Sequence, residues 1–248
     1  MTEKTRILFL AASPKNTTAL RLEEEIREIE EKIWNGTQRE AFALIPVLAV
    51  RATDLQDALL KHRPHIVHFS GHGNSAGGIY LENQHGSRKV LSRKALTELF
   101  IILKREIRIV ALNVCYSRDH AESITQLIDF AIGMNGAIDD ASAIVFSAYF
   151  YQSLAHGGSV KEAFDLARNQ LSMAGMRGAK IPELFTRNGI DAAKSYLIRE
   201  QSEPTERPME RKREGGSGQR NVSVASIGGD GIIITGDSGS VNMSKRDK

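Results

Sequence analysis

Two short strings hold the side chains best suited to covalent chemistry. One is Ser70-Gly71-His72-Gly73, which closes the apolar run HIVHFSG; the other is Asn113-Val114-Cys115-Tyr116-Ser117, which closes IRIVALNV. Both runs read as buried strands, so both reactive side chains fall at strand ends. A thiol is a poor nucleophile while protonated at its free pKa of about 8.5, and a nearby imidazole converts it to a thiolate. If the two strands are neighbours, His72 and Cys115 face each other across the mouth of the sheet. Gly71 and Gly73 carry no Cβ, so the backbone there can turn sharply and approach a substrate carbonyl. The N–H groups of Gly73 and Cys115 are then candidate donors to a developing oxyanion.

The remaining polar motifs point elsewhere. His68 lies four residues before His72, but the pair straddles a strand end rather than one helix face, so no zinc site is expected. The glycines at 71, 73, 77 and 78 are followed by no Lys-Ser/Thr, which argues against a phosphate loop. A nucleotide-binding turn would need glycines after the first strand, where Ala11-Ala12-Ser13-Pro14 stands. No metal and no cofactor is expected. Asp139 and Asp140 follow the run FAIGMN and offer either an acidic pocket floor or a cap for the helix after them.

Strand-like and helix-like patterns alternate before residue 200, and they must position these groups. Runs at 6–12, 41–50, 65–71, 107–114 and 130–135 read as strands, with 182–188 as a last edge strand and 79–90 as a hairpin. Leu22, Ile26, Ile29 and Ile33 make one face of a helix over 18–34, with Thr17 or Thr18 as N-cap and Glu23 to Glu25 suiting its first turn. Further helices are expected at 53–62, 92–104, 118–129 and 139–155. Val160, Ala163, Phe164, Ala167 and Leu171 form the face of another. Repeated β-α-β units predict an α/β fold: an open, mostly parallel sheet with helices on both faces and sites at the carboxyl ends of strands.

Composition bounds the rest. The 248 residues are 41% hydrophobic and 25% charged, ordinary for a globular chain long enough to bury a core. A net charge of +3, dispersed along the chain, predicts no nucleic-acid partner. One cysteine excludes an intrachain disulfide framework and fits a reducing compartment. No apolar run approaches the ~20 residues of a membrane span, and no signal-peptide pattern opens the chain, so the expected location is cytoplasmic. The last aromatic residue is Tyr196, which suggests a globular unit over 1–198. Residues 199–220 mix both charges with two prolines and Gly-Gly-Ser-Gly and read as a flexible linker. In 221–248, Val222, Val224, Ile227, Ile232, Ile234 and Val241 are spaced by small polar residues. Asp230-Gly231 is a hairpin signal there. This tail is too short to fold alone; disorder, docking on a partner and stacking with its own copies remain open.

IVHFSGHG (66–73) and VALNVCYS (110–117) resemble the histidine and cysteine motifs of the CHAT family of caspase-like peptidases. ILFLAASP (7–14), RLEEEIREI (21–29), IGMNGAIDD (132–140) and FYQSLAHGGSVKEAFDLAR (150–168) are similar to that family in the same order. The resemblance implies a caspase-hemoglobinase-like fold and a regulated cysteine endopeptidase with His72 as base and Cys115 as nucleophile. It implies a protein substrate, and by analogy a pore-forming effector encoded nearby, in bacterial antiviral defence or programmed cell death. Relatives that prefer basic residues often carry an acid two positions before the cysteine. Asn113 stands there, which leaves Asn113, Asp139 and Asp140 as the specificity-pocket candidates. The tail looks similar to short amyloid-like signalling motifs of bacterial immune effectors, which would give it a recruitment or assembly role. The alternative function is a non-catalytic signalling or scaffold module that assembles through that tail.

Overall fold

In β1 (Thr5–Ala12) the side chains of Ile7, Phe9 and Ala11 enter one apolar cluster and those of Leu8, Leu10 and Ala12 another, and none of the six is more than 2% exposed. A strand apolar on both faces belongs inside a sheet covered on both faces. The computed structural model, which describes residues 3–198, has that arrangement. A six-stranded sheet has the order β2-β1-β3-β6-β7-β8, with β2 (Phe42–Val47), β3 (Ile66–Gly71), β6 (Ile109–Asn113), β7 (Phe130–Met134) and β8 (Pro182–Thr186). The first five strands in that order are parallel, and β8 pairs antiparallel with β7 at the edge. Pro46, which has no N–H to give, sits in the other edge strand, β2. β4 (Ile79–Glu82) and β5 (Arg88–Leu91) form the expected hairpin as a separate two-stranded sheet.

Each face of the large sheet has its own helices. α1 (Leu22–Trp34), α5 (Asp140–Ala155) and α6 (Val160–Met173) bury their apolar sides against the Ile7, Phe9, Ile109 and Phe130 side. α2 (Ala52–His62), α3 (Arg93–Leu103) and α4 (Arg118–Ile124) cover the Leu8, Val67, Val110 and Ala131 side. α5 packs between α1 and α6, and eleven of its sixteen residues are buried, which explains why its sequence shows little amphipathic contrast. Among the described residues no helix is long and apolar enough to cross a membrane.

Two helix ends differ from expectation. α1 begins at Leu22 with Arg21 at its N-cap and no capping side chain. The Thr17 hydroxyl donates instead to the Pro14 carbonyl at 2.6 Å, closing a turn before the helix. α4 stops at Ile124 rather than 129, because Thr125 donates back to the Glu122 carbonyl and Leu127 N–H to the Ile124 carbonyl, turning the chain toward β7. The expected linker over 199–220 and tail over 221–248 lie outside the described residues.

Candidate active site

Strand register sets the site. β3 and β6 are adjacent and parallel, with Ser70 opposite Asn113. Two residues further on in each chain segment come His72 and Cys115, beyond the carboxyl ends of the two strands. The loops are in close contact. A Cβ built on Gly73 would lie 2.4 Å from the Cys115 carbonyl oxygen and 2.6 Å from Val114 Cγ1, so only glycine fits beside His72. Cys115 itself is followed by a sharp turn. Tyr116 takes φ of +59°, a left-handed conformation that costs a non-glycine residue about 1–2 kcal/mol. Its N–H is held by the Gly136 carbonyl at 3.1 Å.

Each reactive side chain is oriented by a carbonyl from a different loop. His72 Nε2 lies 2.7 Å from the Thr18 carbonyl oxygen. A carbonyl can only accept, so His72 Nε2 is the donor in this contact. The Cys115 thiol is half-buried and donates to the Ile138 carbonyl at 3.6 Å. No hydrogen bond joins His72 to Cys115 among the described residues. Contacts of this kind are often long until substrate is bound. The N–H groups of Gly73 and Cys115 have no acceptor among the described residues, so both are available to a developing negative oxygen.

A buried polar layer lies one row of side chains below, on the α1 and α5 face. Glu25 is 3% exposed, and its Oε1 accepts from Asn113 Nδ2 at 2.7 Å, Ser147 Oγ at 2.8 Å and His68 Nε2 at 3.2 Å. Its Oε2 accepts from Ser70 Oγ at 2.5 Å. Burial pushes the Glu25 carboxyl up, but the hydrogen bonds and adjacent ring of His68, with the Ser70 and Ser147 hydroxyls, outweigh it and hold the group below the ordinary glutamate value. Tyr151, its pKa driven well above 10 by burial and then by the Glu25 charge, stays protonated 3.1 Å from His68 Nδ1. His68 is thus the middle member of a Tyr151–His68–Glu25 chain of buried contacts.

The other sequence candidates divide. Asn113 is 5% exposed, and all its hydrogen bonds come from the amide nitrogen: to Glu25, to Ser147 Oγ at 3.1 Å and to the Ala143 carbonyl at 3.3 Å. Its Oδ1 is buried without a partner among the described residues. Asp139 caps α5, accepting from Ser142 N–H at 2.9 Å and Ser142 Oγ at 2.7 Å. Burial raises its pKa and the Ser142 bonds lower it, with the net effect downward. Asp140 pairs with Arg21 at 2.7 Å. One triad among the described residues has metal-ligand spacing, Glu3, His65 and Glu106, but Arg6 pairs with both carboxylates and its backbone N–H donates to His65 Nδ1. Sequence reasoning missed Thr18, whose contribution is a backbone carbonyl, and Glu25, whose i, i+4 spacing to Ile29 places it on the inward face of α1.

Residues 5–208 match the family described as the CHAT domain. A "Probable protease" of Gillisia limnaea is 24% identical over 153 residues, covering 61% of this chain and 27% of that protein. A "Roc-COR-CHAT protease" from an unknown prokaryotic organism is 26% identical over 163 residues, covering 62% and 15%. The chain thus spans less than a third of the length of either curated relative. Among solved structures, a secreted C11 cysteine protease from Bacteroides thetaiotaomicron bound to an irreversible peptide inhibitor superposes with a TM-score of 0.55 at 10% identity, covering 74% of this chain and 66% of that one. Caspase-1 from Spodoptera frugiperda gives 0.51 at 8% identity, covering 74% and 86%. At these identities the likeness is one of fold: the caspase-like sheet with helices on both faces.

Proposed function

The chain belongs to the CHAT domain family, and on that premise we propose that it is a caspase-like cysteine endopeptidase acting through His72 and Cys115. The carrying observation is the 2.7 Å contact of His72 Nε2 with the Thr18 carbonyl: with the proton on Nε2, Nδ1 is the ring atom left to act as base, and the adjacent strands β3 and β6 lead into His72 and Cys115. In the proposed reaction Nδ1 takes the Cys115 proton, and the thiolate sulfur bonds to the scissile carbonyl carbon. The carbonyl π electrons move to oxygen, where the Gly73 and Cys115 N–H groups receive them. As the tetrahedral species collapses, the C–N bond breaks and the Nδ1 proton goes to the leaving amine. Water, deprotonated by Nδ1, then hydrolyses the thioester and regenerates the thiol. The scheme needs no cofactor.

The substrate is a protein, and the setting we assign is bacterial immunity or programmed cell death, with a pore-forming effector as the partner the sequence resemblance suggests. That setting rests on the resemblance, while the chemistry rests on the arrangement of His72, Cys115, Gly73 and Thr18. Residues 221–248 are proposed to recruit a partner or further copies of the chain.

The test is covalent labelling of the full chain with a panel of peptidyl acyloxymethyl ketones differing in the residue next to the warhead, read by intact mass and peptide mapping. The expected result is a single adduct on Cys115 that forms with some peptides and not others, and that His72→Ala abolishes. A Cys115 that iodoacetamide alkylates but no peptidyl reagent does, or labelling unchanged in His72→Ala, contradicts the peptidase reading and favours the scaffold alternative.

A further inference from the structure

We infer that Glu25 is a positioning residue for the His72–Cys115 pair, its carboxylate clamping the ends of β3 and β6 to α1 and α5; this rests on the dyad reading above. The donors on that carboxylate come from three elements other than its own. Ser70 and His68 belong to β3, Asn113 to β6 and Ser147 to α5. Ser70 and Asn113 are the paired last rung of the two strands, and each lies two residues, about 6.6 Å along an extended backbone, before a reactive side chain. One carboxylate therefore spans the two strands that lead into His72 and Cys115. A shift of either strand end by a few tenths of an ångström would stretch bonds of 2.5 and 2.7 Å.

The energetics also favour a role in geometry. A buried ionised carboxylate carries a desolvation penalty that apolar packing would avoid. Among the described residues no lysine or arginine pairs with Glu25; His68 is its one basic neighbour. Asn113 Oδ1 is buried without a hydrogen-bond partner among the described residues, while the amide nitrogen is aimed at this group. A core selected for stability alone would place leucine and alanine here. What the layer supplies instead is direction, because hydrogen bonds fix side-chain orientation as apolar contacts do not.

Two substitutions separate reach from charge. Glu25→Gln preserves the length: its carbonyl oxygen accepts from Asn113, Ser147 and His68, and its amide donates to a rotated Ser70 hydroxyl. Glu25→Asp keeps the charge but withdraws it by one methylene, so it cannot reach both strand ends. The reaction of each full-length variant with the best peptidyl acyloxymethyl ketone is measured as kinact and KI per folded molecule. Glu25→Gln is expected to keep kinact within about threefold of wild type, and Glu25→Asp to lower it at least tenfold with KI little changed, since misplacement by about 1 Å can cost a hundredfold. Ser70→Ala, which releases β3 alone and removes little volume, is expected to lower kinact about fivefold by the same argument, and it serves where Glu25→Asp does not fold. Wild-type kinact in Glu25→Asp or Ser70→Ala, or an equal fall in Glu25→Gln and Glu25→Asp, overturns the clamp. A wild-type chain that no peptidyl reagent labels overturns the dyad reading itself, and the clamp with it.

Discussion

The histidines show how residue type alone leaves a role undetermined. His72, His68 and His120 are four to fifty-two positions apart in sequence, yet among the described residues their ring nitrogens meet a backbone carbonyl, a Glu–Tyr pair and nothing at all, respectively. His120 is 1% exposed on α4, and neither ring nitrogen has a hydrogen-bond partner among the described residues. Burial, then the Arg93 charge, lowers its pKa to about 4, against a slight upward pull from Asp119. The unfolded chain, with an ordinary value near 6.5, therefore takes up the proton first as pH falls. The stability linked to this group is complete above pH 6.5 and declines as pH drops toward 4. At about 1.4 kcal/mol per pH unit of displacement the loss is on the order of 3 kcal/mol. Urea midpoints of wild type and His120→Leu should diverge across that interval, with the leucine variant the less acid-sensitive. Parallel acid curves would mean that His120 is solvated in solution.

At the scale of elements, two loops and one helix start build the rim of the site. The segment before α1 supplies the Thr18 carbonyl to His72, and the segment before α5 supplies the Ile138 carbonyl to Cys115. Arg21 and Asp140, at 2.7 Å, join those same two segments. Removing Asp140 frees the Arg21 charge at the rim. Asp140→Ala should therefore depress labelling by peptidyl reagents bearing Arg or Lys far more than by those bearing Leu or Met, and Arg21→Ala should do the reverse. Asp139 is occupied in capping, so Asp139→Ala should leave that ranking alone and lower stability by about 1 kcal/mol. An equal fall for every reagent in Asp140→Ala would assign it to structure rather than selection. The capping role of Asp139 was legible because a carboxylate stood just before an apolar helical run. Glu25 was not, because three successive glutamates in a first turn invite a dipole explanation, and only the offset to Ile29 marks the one that faces inward. Thr17 and Thr18 do not cap α1 because the helix begins later, at Leu22, with Arg21 at its N-cap position.

For the whole molecule, alternating apolar runs were enough to read the α/β class, the hairpin and the strand cores at 6–12, 65–71 and 107–114, because each buries both faces. Strand order was not readable. It depends on crossovers that skip β4 and β5 to lay β6 beside β3, and the neighbouring of the two strands that lead into His72 and Cys115 was only a condition until that order was known. The polar layer under the site was hidden for the same reason, since its members come from four elements. The described unit contains every group assigned to the chemistry, and the family match ends at residue 208. A chain cut after Pro208 should therefore retain dyad chemistry whatever residues beyond it recruit. The most direct measurement is the hydrolysis rate of a fluorogenic peptide, built on the best-labelling peptidyl sequence, by the full chain and by the chain ending at Pro208. Each is compared as wild type, Cys115→Ala, His72→Ala and the double variant. The account predicts activity in both wild-type lengths. It predicts its loss in both single variants to a common floor that the double variant does not lower further, because the pair acts as one unit, with thermal midpoints near wild type throughout. Hydrolysis by Cys115→Ala at the wild-type rate would contradict it.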